Sequence, residues 1–174
     1  GSQNLNSGAT FQLTPLTGGL TTNALINTVG SNTSGALLID SLNTSGTNTL
    51  AGDFYLDSAL RVNQASGGTI VISDATTDIK AQTLTLTGTG GLVNLTGIVG
   101  NSVPGGQVVV GVNGSAGGPT VTMSQANTYS GQTFVRAGIL AFTSTGSAAN
   151  SAIRLGSTSG TNVDAAINLT TLTG

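Results

Sequence analysis

The sequence predicts an all-β fold, a solenoid of short stacked strands. Three observations carry that reading. About half of the 174 residues are Gly, Ser, Thr or Asn, and they separate one short apolar run from the next. Within many runs every second residue is apolar, as in Thr83-Leu84-Thr85-Leu86-Thr87, which is the period of a strand with one buried face. Good helix formers are scarce, with no Glu, one Lys and one Met, while β-branched residues abound and Gly recurs too often to leave a helix intact.

Taken in order, the strand candidates are Ala36–Ile39, Phe54–Leu56, Leu60–Val62, Thr69–Ile72, Thr83–Thr87, Leu92–Leu95, Gln107–Val110, Thr120–Met123, Thr133–Val135, Ile139–Phe142 and Ile153–Leu155. Each is bounded by Gly, Asn, Ser or Asp, which tolerate positive φ or make local side-chain turns. Strands at this spacing fit a sandwich, a barrel or a solenoid. Their shortness, the scarcity of aromatics and the Gly-Asn-Ser corners favour the solenoid over an antiparallel β-sandwich. At about 20 residues per coil and roughly 4.8 Å per rung, the chain would make about 8 or 9 coils and a rod about 40 Å long. Residues 1–35 have few apolar clusters and read as a linker, an incomplete coil or a pairing segment. Residues 36–174 read as the solenoid. Asn101–Gly106 and Gly111–Pro119 read as protruding loops, because Pro104 and Pro119 cannot donate a ladder hydrogen bond.

Composition narrows the function classes. The chain is 37% hydrophobic and only 6% charged, against about 25% charged in ordinary soluble domains. Hydroxyls and amides must hydrate its surface. Arg61, Lys80, Arg136 and Arg154 are scattered and the net charge is −2, so no basic patch exists to neutralise nucleic-acid phosphates. Without cysteine there are no disulfides and no thiolate chemistry. No apolar run reaches the roughly 18 residues of a membrane-spanning helix. Gly1-Ser2 reads as a cloning remnant on a mature fragment.

Residues 119–142 run Pro-Thr-Val-Thr-Met-Ser-Gln-Ala-Asn-Thr-Tyr-Ser-Gly-Gln-Thr-Phe-Val-Arg-Ala-Gly-Ile-Leu-Ala-Phe. This segment resembles the autotransporter passenger-associated β-strand repeat, an Asn-Thr-Tyr-(Ser/Thr)-Gly-x-Thr-x-Val-x-x-Gly-x-Leu run. Asn127, Tyr129, Gly131, Thr133, Val135, Gly138 and Leu140 stand at its defining positions, and 119–156 holds the repeat with its usual continuation. The resemblance implies a right-handed parallel β-helix, exported to or displayed on the surface of a Gram-negative bacterium. It implies a role in passenger export and folding rather than catalysis. On that reading Gly131 and Gly138 turn corners, Val135, Leu140 and Phe142 face inward, and Tyr129 packs near a corner with its hydroxyl in reach of water.

Little else carries chemistry. Without His or Cys, the usual triads and zinc sites are excluded. Without Glu, acid–base work falls to Asp40, Asp53, Asp57, Asp74, Asp78 and Asp164, of which 53/57 and 74/78 are close pairs. An inverting glycoside hydrolase would hold two such carboxyls about 6.5–9.5 Å apart; the plainer reading is that they end strands and make turns. The Gly-Gly-x-Gly-x-Asp run of calcium-binding β-rolls does not occur. No cofactor is expected.

The sequence therefore points to a non-catalytic structural or adhesive extracellular β-helix, either a passenger section or a self-assembling fibre subunit. Its expected partners are copies of itself, end to end or along a strand edge, and a glycan or cell-surface ligand. The alternatives are a carbohydrate- or ice-binding module, built on Thr-rich faces such as Thr83-Thr85-Thr87, and a β-helix hydrolase using the Asp pairs.

Overall fold

A computed structural model describes residues 3–5, 10–13, 21–22, 26–28, 37–65, 67–115, 117–143, 145–156 and 165–169. Asp164, the termini and most of the 1–35 stretch lie outside the described residues. Consecutive strands never pair with each other. Each strand instead pairs with the one lying a full coil away, so three sheets grow side by side.

The first coil comprises β1 (Gln3–Leu5), β2 (Thr10–Leu13) and β3 (Thr21–Thr22), and the second β4 (Ile26–Thr28), β5 (Leu37–Ser41) and β6 (Thr47–Leu50). The third holds β7 (Phe54–Leu56), β8 (Leu60–Gln64) and β9 (Thr69–Ile72). The fourth holds β10 (Thr76–Asp78), β11 (Thr83–Gly88) and β12 (Leu92–Leu95). The fifth holds β13 (Ile98–Gly100), β14 (Gln107–Val110) and β15 (Thr120–Met123). Two shorter layers follow: β16 (Thr133–Val135) with β17 (Gly138–Phe142), then β18 (Ile153–Leu155) with β19 (Ala165–Leu169).

Sheet A collects β1, β4, β7, β10 and β13; sheet B runs from β2 to β18; sheet C runs from β3 to β19. Every strand pairing among the described residues is parallel. The chain is thus a β-solenoid of about five turns, and the antiparallel sandwich is excluded. The expected 8 or 9 coils are corrected too. Along sheet B, Leu37, Leu60, Leu84, Val108, Thr133 and Ile153 stack in register, at intervals of 23, 24, 24, 25 and 20 residues. Three strands and three corners simply need more chain than the shorter period allowed.

The alternation read from sequence sets the inside and outside. Ile39, Val62, Leu86, Val110 and Val135 form one fully buried column, and Leu50, Ile72, Leu95, Met123 and Phe142 another. Each such side chain contributes roughly 1.5–3 kcal/mol on burial, and stability accumulates from coil to coil through neighbour contacts. The corner between β5 and β6 is polar. There Ser41 Oγ lies 2.7 Å from Asn43 Oδ1 and 2.6 Å from Gln64 Oε1, while Asn48 Nδ2 donates to Ser41 Oγ at 2.9 Å. All four side chains are buried. Gln64 Nε2 closes the cluster on the Asn43 carbonyl, 2.9 Å away in the coil below, so the amides satisfy one another instead of being stranded in a dry interior.

Strands β6, β10, β13 and β19, with β1–β4, were not among the candidates. Half of them, β1, β4, β10 and β13, belong to sheet A. Its strands are three residues long, and β10 turns inward only a threonine, Thr77. No apolar alternation announces such a strand. The parallel ladder on its neighbours is what forms it.

Candidate functional site

The motif residues occupy the corner where sheet A stops. After β15 no sheet-A strand follows among the described residues. Residues 126–130 take that place, held to β13 by Thr128 N–H donating to the Val99 carbonyl at 2.9 Å. Asn127 supplies what a strand backbone would have supplied. Its Oδ1 accepts from Val99 N at 2.7 Å, and its Nδ2 donates to the carbonyls of Gln125 (2.9 Å) and Ser147 (2.7 Å). Asn127 N–H also reaches Ser147 O, next to a parallel bridge between Ala126 and Ser147. One amide side chain therefore links three successive layers, which only Asn or Gln can do with an acceptor and two donors.

Tyr129 fills the space behind this corner and is fully buried. Its hydroxyl meets Thr133 Oγ1 at 2.6 Å, and Thr133 Oγ1 in turn meets Ser151 Oγ at 2.7 Å. The expected contact of the hydroxyl with water is corrected. The ring is part of the hydrophobic core. Burial raises the Tyr129 pKa above the ordinary phenol value, against the opposing hydrogen bonds from Thr133 and Ser151. Gly138 adopts φ +86°, and a Cβ there would lie 2.3 Å from the Pro119 carbonyl. Gly131 keeps an ordinary φ, but its N–H bonds Gly106 O at 3.0 Å and a Cβ would collide with that oxygen at 2.2 Å. Val135 and Leu140 lie wholly in the core and Phe142 nearly so. The motif is therefore one contiguous structural joint.

Three members of the acidic pairs, Asp57, Asp74 and Asp78, serve the scaffold. Asp57 pairs with Lys80, which raises the lysine pKa through that hydrogen bond. Asp74 is buried and accepts from Phe54 N at 2.9 Å and Thr76 N at 3.2 Å. Burial still raises its pKa, helped by the nearby Asp53 charge and opposed by those N–H groups. Asp78 accepts from Ser102 N (2.9 Å), Ser102 Oγ (2.6 Å) and Lys80 N (3.0 Å). Partial burial would lift its pKa, yet the Ser102 bonds, the Lys80 N–H and the Lys80 charge outweigh it and hold the carboxyl below its usual value. Among the described residues no three metal-ligating side chains converge.

Two outer faces are grooved. On sheet B a recess of about 480 Å³ runs beneath Val112, Ser115 and Gly117. Its floor is a ladder in which Asn63 Nδ2 donates to Asp40 Oδ1 (2.8 Å) and Thr87 Oγ1 to Asn63 Oδ1 (3.1 Å). Arg61 lines the same recess, with no ion-pair partner among the described residues. On sheet A a smaller groove of about 310 Å³ lies over β7, β10 and β13. Tyr55 and Asp78 face outward there one rung apart, and Gly100 is the next rung. No composition signal marked either groove, because each is assembled from residues a coil apart in sequence.

No protein-family model, curated protein or solved structure matches this chain. The class that the fold and the joint define is a three-sided parallel β-solenoid, with a side-chain splice where its third sheet ends.

Proposed function

We propose that this chain is a structural or adhesive extracellular β-solenoid, a section of a secreted bacterial passenger or a subunit of a self-assembling surface fibre. The observation that carries the proposal is the outer face of sheet C. From β6 to β17 its outward positions are Thr47 and Thr49, Thr69 and Val71, Leu92 and Asn94, Thr120 and Thr122, Ile139 and Ala141, in register. None is charged. A long uncharged hydroxyl-and-methyl face has little repulsion to overcome when it meets another surface, and the charged side chains among the described residues sit elsewhere. The motif resemblance adds the surface of a Gram-negative bacterium as the place of work.

In the layer of β18 and β19 the apolar columns run on without a cover among the described residues. Ile153, Leu155 and Leu169 continue the columns of Thr133, Val135 and Phe142 but are exposed, Leu155 at 56% and Leu169 at 70%. Another coil laid on them would bury them. Catalysis forms no part of the proposal, since Asp57, Asp74 and Asp78 are already engaged in holding coils and loops. Negative-stain electron microscopy across a concentration series tests it. Rods that lengthen or bundle with concentration are expected; particles that stay single at the highest concentration and bind no surface would overturn it.

A further inference from the structure

We propose that the sheet-A groove around Tyr55 binds a short stretch of a neutral pyranose glycan. It deepens the adhesive side of the proposed function and is independent of self-assembly. Tyr55 is 42% exposed, whereas the chain's other tyrosine is fully buried. An aromatic ring left open beside a groove offers the apolar C–H face of a sugar a flat surface, while polar neighbours take its hydroxyls.

Those neighbours are present and ordered. Asp78 sits one rung from Tyr55. Its Oδ1 takes two backbone N–H groups, and its Oδ2 takes a single hydroxyl, from Ser102. The Oδ2 atom retains lone-pair capacity for a further O–H donor, and a charged acceptor makes the stronger bond. Asn101 is fixed by Ser130 N, Ser130 Oγ and the Val103 carbonyl, which stiffens the rim. The exposed Thr76 and Thr128 hydroxyls flank the floor, and neither bonds another group among the described residues. Gly100 keeps that floor open, because a Cβ there would come within 2.9 Å of Thr128 Oγ1. Tyr55, Asp78, Gly100 and Thr128 thus mark successive steps along the rod, roughly 4.8 Å apart, close to the advance of one pyranose unit in an extended glycan. The ionised Asp78 selects against uronates and other acidic sugars.

The test is an NMR titration of the whole chain with cellotetraose, maltotetraose and tetra-N-acetylchitotetraose, and with tetragalacturonate as the acidic control. At least one neutral tetramer is expected to give saturable shifts at the Tyr55, Gly100 and Thr128 amides, with the uronate giving none. Tyr55→Ala should weaken that binding at least tenfold, Tyr55→Phe less than threefold, and Gly100→Val should abolish it. Circular dichroism should match the parent for Tyr55→Ala, whose side chain is exposed. Absence of saturable shifts with all three neutral sugars, or undiminished binding by Tyr55→Ala, would overturn the proposal. Fibre formation by Tyr55→Ala should match the parent, so loss of sugar binding and loss of assembly are read separately.

Discussion

The fourth and fifth coils close their third side with a backbone ladder; the next layer closes it with side chains. In β10 and β13 the peptide groups pair in register, and the inward residue of β10 is an unremarked threonine. One layer on, Asn127 and Tyr129 replace the strand, the first by hydrogen bonds and the second by volume. The difference teaches that a solenoid can lose a sheet without opening its core, provided one amide satisfies the orphaned backbone groups. It also assigns sequence tolerance. Where the backbone bonds, many side chains will serve. Where a side chain bonds, one type is required.

That contrast can be broken most severely at a column both regions share. Leu86→Asp would place an unpaired charge in a dry interior, and loss of cooperative folding is expected, seen as a lost β signal by circular dichroism. Next comes Asn127→Ala, which orphans the buried Val99 N–H, while the Ser147 carbonyl keeps the backbone N–H of residue 127. At about 1–3 kcal/mol for a buried orphan, urea denaturation should show a loss of that size. The matched change on the strand side is Thr77→Val. Thr77 is buried and its hydroxyl has no bonded partner among the described residues, so urea denaturation should find it neutral or stabilising by up to about 1 kcal/mol. A loss as large as that of Asn127→Ala would erase the distinction.

Smaller effects sharpen the same picture. Tyr129→Phe removes one hydroxyl but leaves Thr133 bonded to Ser151, so a loss of about 1 kcal/mol in thermal or urea unfolding is expected. Acid should act on the strand side through Asp78. Its folded pKa is depressed, so its stabilisation is present above the unfolded value of 3.8 and is lost as pH falls through the folded one. Asp74 has the opposite sign: its raised pKa imposes a cost above its folded value that protonation relieves. Protection of the Ser102 amide, its exchange rate taken relative to the intrinsic rate at each pH, should therefore fall as pH drops through the depressed Asp78 pKa, and in Asp78→Ala it should be low at all pH values.

Much of the architecture was legible because it is periodic. Leu84 and Leu86 alternate with threonines, Ile70 and Ile72 flank Val71, Leu140 and Phe142 flank Ala141, and all six are buried. Runs such as Thr69–Ile72, Leu92–Leu95 and Thr120–Met123 coincide with β9, β12 and β15. Of sheet A only Phe54–Leu56 stood out, since Thr76–Asp78 and Ile98–Gly100 are too short to show a period. With one strand in three unseen, the repeat length came out short and the coils too many.

The motif was visible as a pattern of residue types, while its work as a splice was not. Nothing in the Asn127-Thr128-Tyr129 run tells that Val99 lies beneath it or Ser147 above. The grooves were invisible for the same reason, as Tyr55 and Asp78 are 23 residues apart yet neighbours on one face. The sequence by itself determined what is local: strand, corner, inside and outside, through alternation and turn chemistry that act over a few residues. Tertiary structure alone decided what is stacked, meaning the register, the number of turns, the end of sheet A and the composition of each outer face. Those depend on contacts between residues a full coil apart, and short-range preference carries no record of which residue comes to lie above which.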